Sequence, residues 1–340
     1  MIIPKKDLLA KLFSASGVTS LARQFFTPHN NALPILAYHR VKSVAEDYPF
    51  DSELISATPK DFLWQMQHIK TRYDVLRLKD LADYFSGHLP WPKRPLVITF
   101  DDGFDDNYLN AFPVLKQLDI PATIFLATNY IGTETVYWFD LVVLCLKHLP
   151  RPLLLETATH KIRLDPQISL NKQQREFFQL LKSVSNETRL EILGQLFAAV
   201  ELPSDDNLLR QSRAMSWEQV SEMSASGLVD FGSHTLTHPA LNQLSDSALH
   251  QELQQSKLII EKNTGKICDV MAYPFGGDDI TTPQVLNAVQ QTGFRLACVY
   301  QQNYSTRSPD NILKLERIHI ETEINRARFA AMLAMPGIFA

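Results

Sequence analysis

Residues 99–103 read Thr-Phe-Asp-Asp-Gly and follow the apolar run Leu96-Val97-Ile98, so two adjacent carboxylates, Asp101 and Asp102, mark the end of a buried strand. Neighbouring anions repel unless a cation or a shared proton separates their roles, and a strand tip in an α/β fold opens onto the ligand crevice. A solvated turn capping the next helix accounts for Gly103 and one aspartate, but poorly for the second. Further along, the strand-like Leu228-Val229-Asp230-Phe231-Gly232 leads into Ser233-His234-Thr235-Leu236-Thr237-His238-Pro239. Two imidazoles four residues apart on one helical turn share a face and can hold one metal ion. The spacing alone is weak evidence, and a surface turn with His238 packed before Pro239 is the competing reading. Context strengthens it, because both the carboxylates and the imidazoles are expected at strand tips.

In this order, Thr-Phe-Asp-Asp-Gly and Ser-His-Thr-Leu-Thr-His resemble the first two signature motifs of the polysaccharide deacetylases, carbohydrate esterases that act on chitin, peptidoglycan and exopolysaccharides. Further pieces are similar to what that family carries: Leu36-Ala37-Tyr38-His39-Arg40-Val41, Ala272-Tyr273-Pro274-Phe275-Gly276-Gly277, and Leu315-Glu316-Arg317-Ile318-His319-Ile320. The resemblance runs from about residue 33 to about residue 335 and is interrupted between Thr133 and Ser212. It implies a distorted (β/α)7-8 barrel and metal-dependent hydrolysis of an N-acetyl group from an amino sugar in a polysaccharide, oligosaccharide or lipid-linked glycan. It also implies Asp101 as general base, Asp102 as a metal ligand, the backbone N–H of Phe275 as oxyanion donor, and His319 as general acid. Glu-Arg-Ile-His departs from the family's leucine-histidine pattern, which leaves Arg317 as an alternative aligned residue. Many members carry an arginine where this chain has Ala272, and that arginine tethers the catalytic base, so Asp101 needs another anchor. His39 and Tyr273 are candidates for supporting positions around the site, with a purely structural role open for His39.

The residues allow the same chemistry without the family. Removing an acetyl group from an amide needs an activated water, a donor or cation for the tetrahedral oxyanion, and an acid for the departing amine. Asp102, His234 and His238 form a set of one carboxylate and two imidazoles that leaves coordination positions open. Asp101 is then free to take a proton. One divalent ion is the expected cofactor, zinc first, although such a donor set accepts several metals. Two other classes of protein fit part of this pattern. A non-haem iron enzyme also uses two histidines and a carboxylate, and Ala272 in place of arginine would suit a non-catalytic carbohydrate-binding relative.

Composition sets limits on partners and location. With 45% hydrophobic and 21% charged residues the chain can bury a large core, and a net charge of -4 supplies no basic stripe for nucleic acid. Cys145, Cys268 and Cys298 are odd in number and widely spaced, which indicates core residues in a reducing compartment rather than a disulfide framework. Charges at Asp7 and Lys11 interrupt any signal-peptide core, and no run of 18 apolar residues occurs. The expectation is a cytoplasmic protein with no spanning segment. Leu8, Leu9, Leu12, Phe13, Leu21, Phe25 and Phe26 suggest an N-terminal helical extension over 1–32 that packs on the domain, with peripheral contact to the inner membrane surface as the alternative.

To position the site groups, the chain must alternate strands and helices. Strands are predicted at 34–39, 73–78, 96–100, 122–127, 228–233, 269–273, 295–299 and 316–320, a β/α rhythm that predicts a parallel barrel over 33–335. Thr58-Pro59 and Thr282-Pro283 read as helix starts, Ser216-Trp217-Glu218-Gln219 as a capping box, and Gly227, Gly265 and Gly293 as helix ends. The candidate site groups would all fall at C-terminal strand ends, where barrels carry their chemistry. Between about 133 and 212 the rhythm fails, and helices over 138–149, 172–184 and 187–200 predict an inserted helical segment beside the site. Its Tyr137-Trp138-Phe139-Asp140 is a candidate surface for sugar rings, or simply core.

Overall fold

The computed structural model describes residues 31–43, 48–203, 205–335 and 338. The helical extension expected over 1–32 lies outside the described residues except for its last two positions, of which Ala32 begins a short strand pairing Ala32–Leu33 with Ser305–Thr306.

Eight parallel strands appear where the sequence predicts them: β1 (Ile35–Tyr38), β2 (Asp74–Leu76), β3 (Pro95–Phe100), β4 (Ala122–Leu126), β5 (Val229–Ser233), β6 (Val270–Ala272), β7 (Leu296–Gln302) and β8 (Leu315–His319). Seven close a barrel in the order β1-β8-β7-β6-β5-β4-β3, with β3 returning to β1. The remaining strand, β2, pairs with the N-terminal half of β3, while the C-terminal end of β3 pairs with β4. Its three residues are exposed or half-buried, whereas all six of β3 are buried. That contrast is what continuous apolar runs in a parallel barrel lead one to expect.

The two-residue strand period determines what fills the barrel. Ile35, Val97, Phe125, Val270, Leu296 and Leu315 form one interior cluster near its N-terminal end. The next inward positions along the same strands are Ala37, Thr99, Ala272, Cys298 and Arg317, and beyond them come His39, Asp101, Tyr300 and His319. An apolar floor thus carries a polar layer at the C-terminal mouth. Gly232 makes room for this filling, since a Cβ there would lie 2.7 Å from the Phe125 ring.

The outer helices include α1 (Pro59–Lys70), α2 (Phe112–Leu118), α3 (Trp138–Lys147), α4 (Leu170–Ser183), α5 (Asn186–Ala199), α6 (Trp217–Ala225), α7 (Asp246–Thr264), α8 (Pro283–Gln291) and α9 (Arg326–Ala334). Thr58 and Thr282 cap α1 and α8 with proline following, the Ser216/Gln219 capping box opens α6, and Gly265 ends α7 at φ 66°.

Three helices, α3 to α5, fill much of the segment between 133 and 212, as the mostly helical reading expects, and a β-hairpin (Leu153–Glu156 with Lys161–Leu164) that it did not include lies between α3 and α4. Its strands are four residues long, with half of their residues exposed, too short for a period to show in the sequence. Tyr137 and Trp138 of the aromatic run are core, while Phe139 lines the cavity beside the site. Tyr137 is fully buried and stacks between Tyr130 and Phe139. A buried polar network ties this segment to the barrel: Arg40 Nε donates to Asp106 (2.9 Å), and Arg40 Nη1 lies 3.9 Å from Asp140, which accepts from the Ser212 hydroxyl.

Candidate active site

Each site group is delivered by a strand end and then fixed by the turn that follows. Leaving β3, the Asp101 N–H donates to the Tyr38 carbonyl, and Gly103, at φ 85°, turns the chain so that its N–H reaches Asp101 O. Leaving β5, the His234 N–H donates to Leu126 O. The predicted helical turn at 234–238 is absent. These residues form an irregular turn with Thr235 at φ 69° and His238 at φ 58°, because proline follows His238 and the adjacent side chains satisfy the turn's N–H groups instead. Among the described residues five non-glycine positions have positive φ, and four of them are Asp102, Thr235, His238 and Phe275. Strain of this kind, here including a β-branched residue, concentrates where geometry is imposed by function.

Asp102, His234 and His238 converge. The two Nε2 atoms lie 3.6 Å and 3.4 Å from Asp102 Oδ1, and all three residues are buried. Asp102 Oδ1 has no hydrogen-bond partner. Ligands held about 2.1 Å from a tetrahedral zinc ion would be about 3.4 Å apart, so the donor set fits such an ion. Burial and the neighbouring Asp101 push the Asp102 carboxyl well above its ordinary pKa, and burial lowers both imidazoles. The site therefore offers neutral imidazoles, the ligating form, around a carboxyl whose ionised form lacks the counter-charge that a cation would supply. His234 Nδ1 bonds the Ala272 carbonyl at 2.8 Å, which presents Nε2 to the centre.

Arg317 answers the question raised by Ala272. It reaches inward from β8 and grips Asp101 with two parallel bonds, Nη1 to Oδ1 and Nη2 to Oδ2, both 2.7 Å. Its Nε donates to Val299 O and its Nη1 also to Thr99 Oγ1. Burial would raise the Asp101 pKa, but Arg317 and, more weakly, His234 hold it well below the usual carboxylate range. Asp101 is thus anchored by an arginine from a different strand. The observation that suited a non-catalytic relative falls away.

Around this centre lies a cavity of about 680 Å³. His39, Tyr273, Phe275 and Tyr300 line it beside the Asp and His groups. His39 Nε2 is 4.0 Å from Asp101 Oδ2, and burial lowers its pKa to about 4. His319 is placed differently. Its ring stacks on Tyr300 with centroids 3.6 Å apart, it does not line the cavity, and burial lowers its pKa to about 3. Tyr273 directs its hydroxyl away, to the Leu313 carbonyl at 2.9 Å. The Phe275 N–H, in a turn at φ 61°, donates to no group among the described residues, and its ring meets the His238 ring edge to face at 4.8 Å.

Sequence reasoning named Arg317 only as an alternative to His319 and missed its hold on Asp101, and it missed two further contributors. Arg317 was signalled by the inward parity of Leu315, Arg317 and His319, once β8 is a barrel strand. Tyr300 followed from the same parity on β7. The face of α4 that closes the cavity, with Gln174, Arg175, Phe178, Gln179 and Lys182, follows from helical spacing beside the buried row Gln173, Phe177 and Leu181.

A closed parallel barrel with a clamped carboxylate beside a buried carboxylate-imidazole centre defines a hydrolytic enzyme site at the mouth of a (β/α)7 barrel. Residues 89–297 match the family model described as polysaccharide deacetylase. The poly-beta-1,6-N-acetyl-D-glucosamine N-deacetylase of Staphylococcus epidermidis is 26% identical over 311 residues, covering 86% of this chain and 80% of that protein. The protein of the same name from Staphylococcus aureus is 34% identical over 122 residues, 33% of this chain and 41% of its own length. Among solved structures, the Streptococcus pyogenes deacetylase PplD in complex with acetate aligns at a TM-score of 0.56 and 19% identity, over 86% of this chain and 94% of that one. IcaB from Ammonifex degensii aligns at 0.55 and 18%, over 89% and 96%. Both share the fold. The chain belongs to the polysaccharide deacetylase family, hydrolases that cleave carbon–nitrogen bonds other than peptide bonds. No helix among the described residues is long and apolar enough to cross a membrane.

Proposed function

We propose that this enzyme removes acetyl groups from N-acetylglucosamine residues of a poly-N-acetylglucosamine-type glycan, with one divalent ion, zinc first, held by Asp102, His234 and His238. The relatives named for that polymer support the substrate class. The observation that carries the reading is the clamped, ionised Asp101 beside the unpartnered Asp102 Oδ1 on the floor of one cavity.

When bound, the ion supplies a water of lowered pKa and polarises the acetyl carbonyl. Asp101 takes a proton from the attacking water; with Arg317 holding both carboxylate oxygens, it cannot rotate away. The Phe275 N–H donates to the oxygen that gains negative charge as the tetrahedral centre forms. Collapse breaks the C–N bond, releasing acetate and leaving the amine to be protonated. We assign that step to His39, which lines the cavity beside Asp101, in place of His319, which lies behind Tyr300. Neither Asp101 nor His39 holds a proton at neutral pH in the resting site, so the proton that Asp101 takes from the water is the one passed to His39, 4.0 Å away, and delivered to the nitrogen as the C–N bond breaks. The α4 face, with Arg175 and Gln179, provides hydrogen-bonding groups for sugar hydroxyls next to the reacting residue.

The test is acetate release from N-acetylglucosamine oligomers by purified protein. Metal-dependent release supports the reading. A protein that binds one divalent ion and releases no acetate from such oligomers sends the substrate assignment elsewhere.

A further inference from the structure

The two imidazoles of the centre are held in different ways. His234 is oriented by a hydrogen bond from its own ring, Nδ1 to Ala272 O. His238 is not: its Nδ1 is buried and has no partner. A ligating histidine is ordinarily fixed through its second nitrogen. The His238 ring takes its direction from packing against Phe139 and Phe275 and from the backbone that carries it, and that backbone is in an unfavourable conformation, with Thr235 at φ 69° and His238 at φ 58°.

One side chain from outside the motif holds this turn. Glu252, on α7 and 9% exposed, accepts the Leu236 N–H at 2.8 Å and the Thr237 N–H at 2.9 Å on Oε2, and the Thr237 hydroxyl at 2.6 Å on Oε1. Successive N–H groups beside a left-handed residue form a concave nest for an anion, and Glu252 fills it from within the protein. The turn is braced at both ends. The His238 N–H donates to Thr235 Oγ1 at 3.1 Å, the Ser233 hydroxyl meets Ser256 of α7 at 2.6 Å, and Trp138 Nε1 of the inserted segment donates to His238 O at 3.2 Å.

We propose that Glu252 is a positioning residue for the metal centre: by holding the turn between the two histidines, it aims His238 Nε2 at Asp102 before any ion arrives. The inference rests on the metal-site reading above. Removing an outer partner of a metal ligand weakens metal binding by about 10- to 100-fold, and the same scale is expected for Glu252→Ala.

The test is zinc affinity by competition with a chromogenic chelator, together with the visible spectrum of the cobalt-substituted protein, in wild type, Glu252→Ala and Glu252→Gln. Glutamine can accept both N–H groups on Oε1 and donate to Thr237 Oγ1, so Glu252→Gln is expected to bind close to wild type with an unchanged cobalt spectrum. Glu252→Ala is expected to bind more weakly with an altered spectrum. Should Glu252→Ala fail to fold, Glu252→Asp, which withdraws the carboxylate by one methylene, is expected to weaken zinc binding. Wild-type zinc affinity in the alanine variant, or in the aspartate variant if that is the one that folds, overturns the inference. So does a glutamine variant as impaired as the alanine one. A wild-type protein that binds no zinc overturns the metal-site reading and this inference together, whereas normal affinity in Glu252→Ala overturns this inference alone.

Discussion

Arg317→Met is the most informative single change, because it removes the guanidinium from a fully buried pair and leaves Asp101 in place. Arg317 is 0% and Asp101 1% exposed, so the carboxylate left behind gains almost nothing from water. Breaking such a pair from one side costs about 3–5 kcal/mol. The sign of the pH dependence separates this cause from a mere packing defect. In the wild type the folded pKa of Asp101 lies below its unfolded value of about 3.9, so its contribution is present above that value and is lost as pH falls through the folded pKa. Without Arg317, burial is expected to put the folded pKa above the unfolded one. Asp101 then stabilises the protein only in its protonated form, and that contribution is lost as pH rises. The deficit of Arg317→Met should therefore widen between about pH 5 and about pH 7.5, by up to about 1.4 kcal/mol per pH unit while the group titrates. Urea unfolding of both proteins at the two pH values measures it, and Asp101→Asn/Arg317→Met should recover part of the loss. A deficit of equal size at both pH values, or a double variant as unstable as the two single losses added, refutes the reasoning.

Other variants test individual roles. Asp101→Asn should cut acetate release by about 10²–10⁴-fold while leaving bound metal at wild-type content; retained activity would assign the base elsewhere. His39→Ala should lower kcat, whereas His319→Ala, with Tyr300 still in place, should lower it less; the reverse order would return the acid role to His319. Arg175→Ala combined with Gln179→Ala should raise KM for long oligomers with kcat unchanged, the pattern of lost uniform binding, and an unchanged KM would remove α4 from the substrate path.

Much of the fold is legible because β-rich runs and capped helices alternate. All eight strands lie within two residues of their predicted ends, except that β7 runs on to Gln302. What a linear reading cannot see is closure. Arg317 lies 216 positions from Asp101, and only barrel closure, which sets β8 beside β1 and β1 beside β3, brings them together. Ala272 looked like a gap in the site for the same reason, since the missing guanidinium comes from another strand with the same inward parity. The turn at 234–238 reads as helical from spacing alone, and tertiary bonds from Glu252 and Trp138 override it. Tyr137 and Trp138 carry the composition of a sugar platform, yet their burial against Tyr130, Phe139 and Arg189 makes them core.

The central claim is that Asp102, His234 and His238 hold the one ion on which acetate release depends. Its most direct test is the rate of acetate release from N-acetylglucosamine oligomers by metal-stripped protein as zinc is titrated back. The account predicts negligible release from the stripped protein and recovery that saturates at one equivalent of zinc, with no recovery in Asp102→Ala. Undiminished release from the stripped protein, or full recovery in Asp102→Ala, would contradict it.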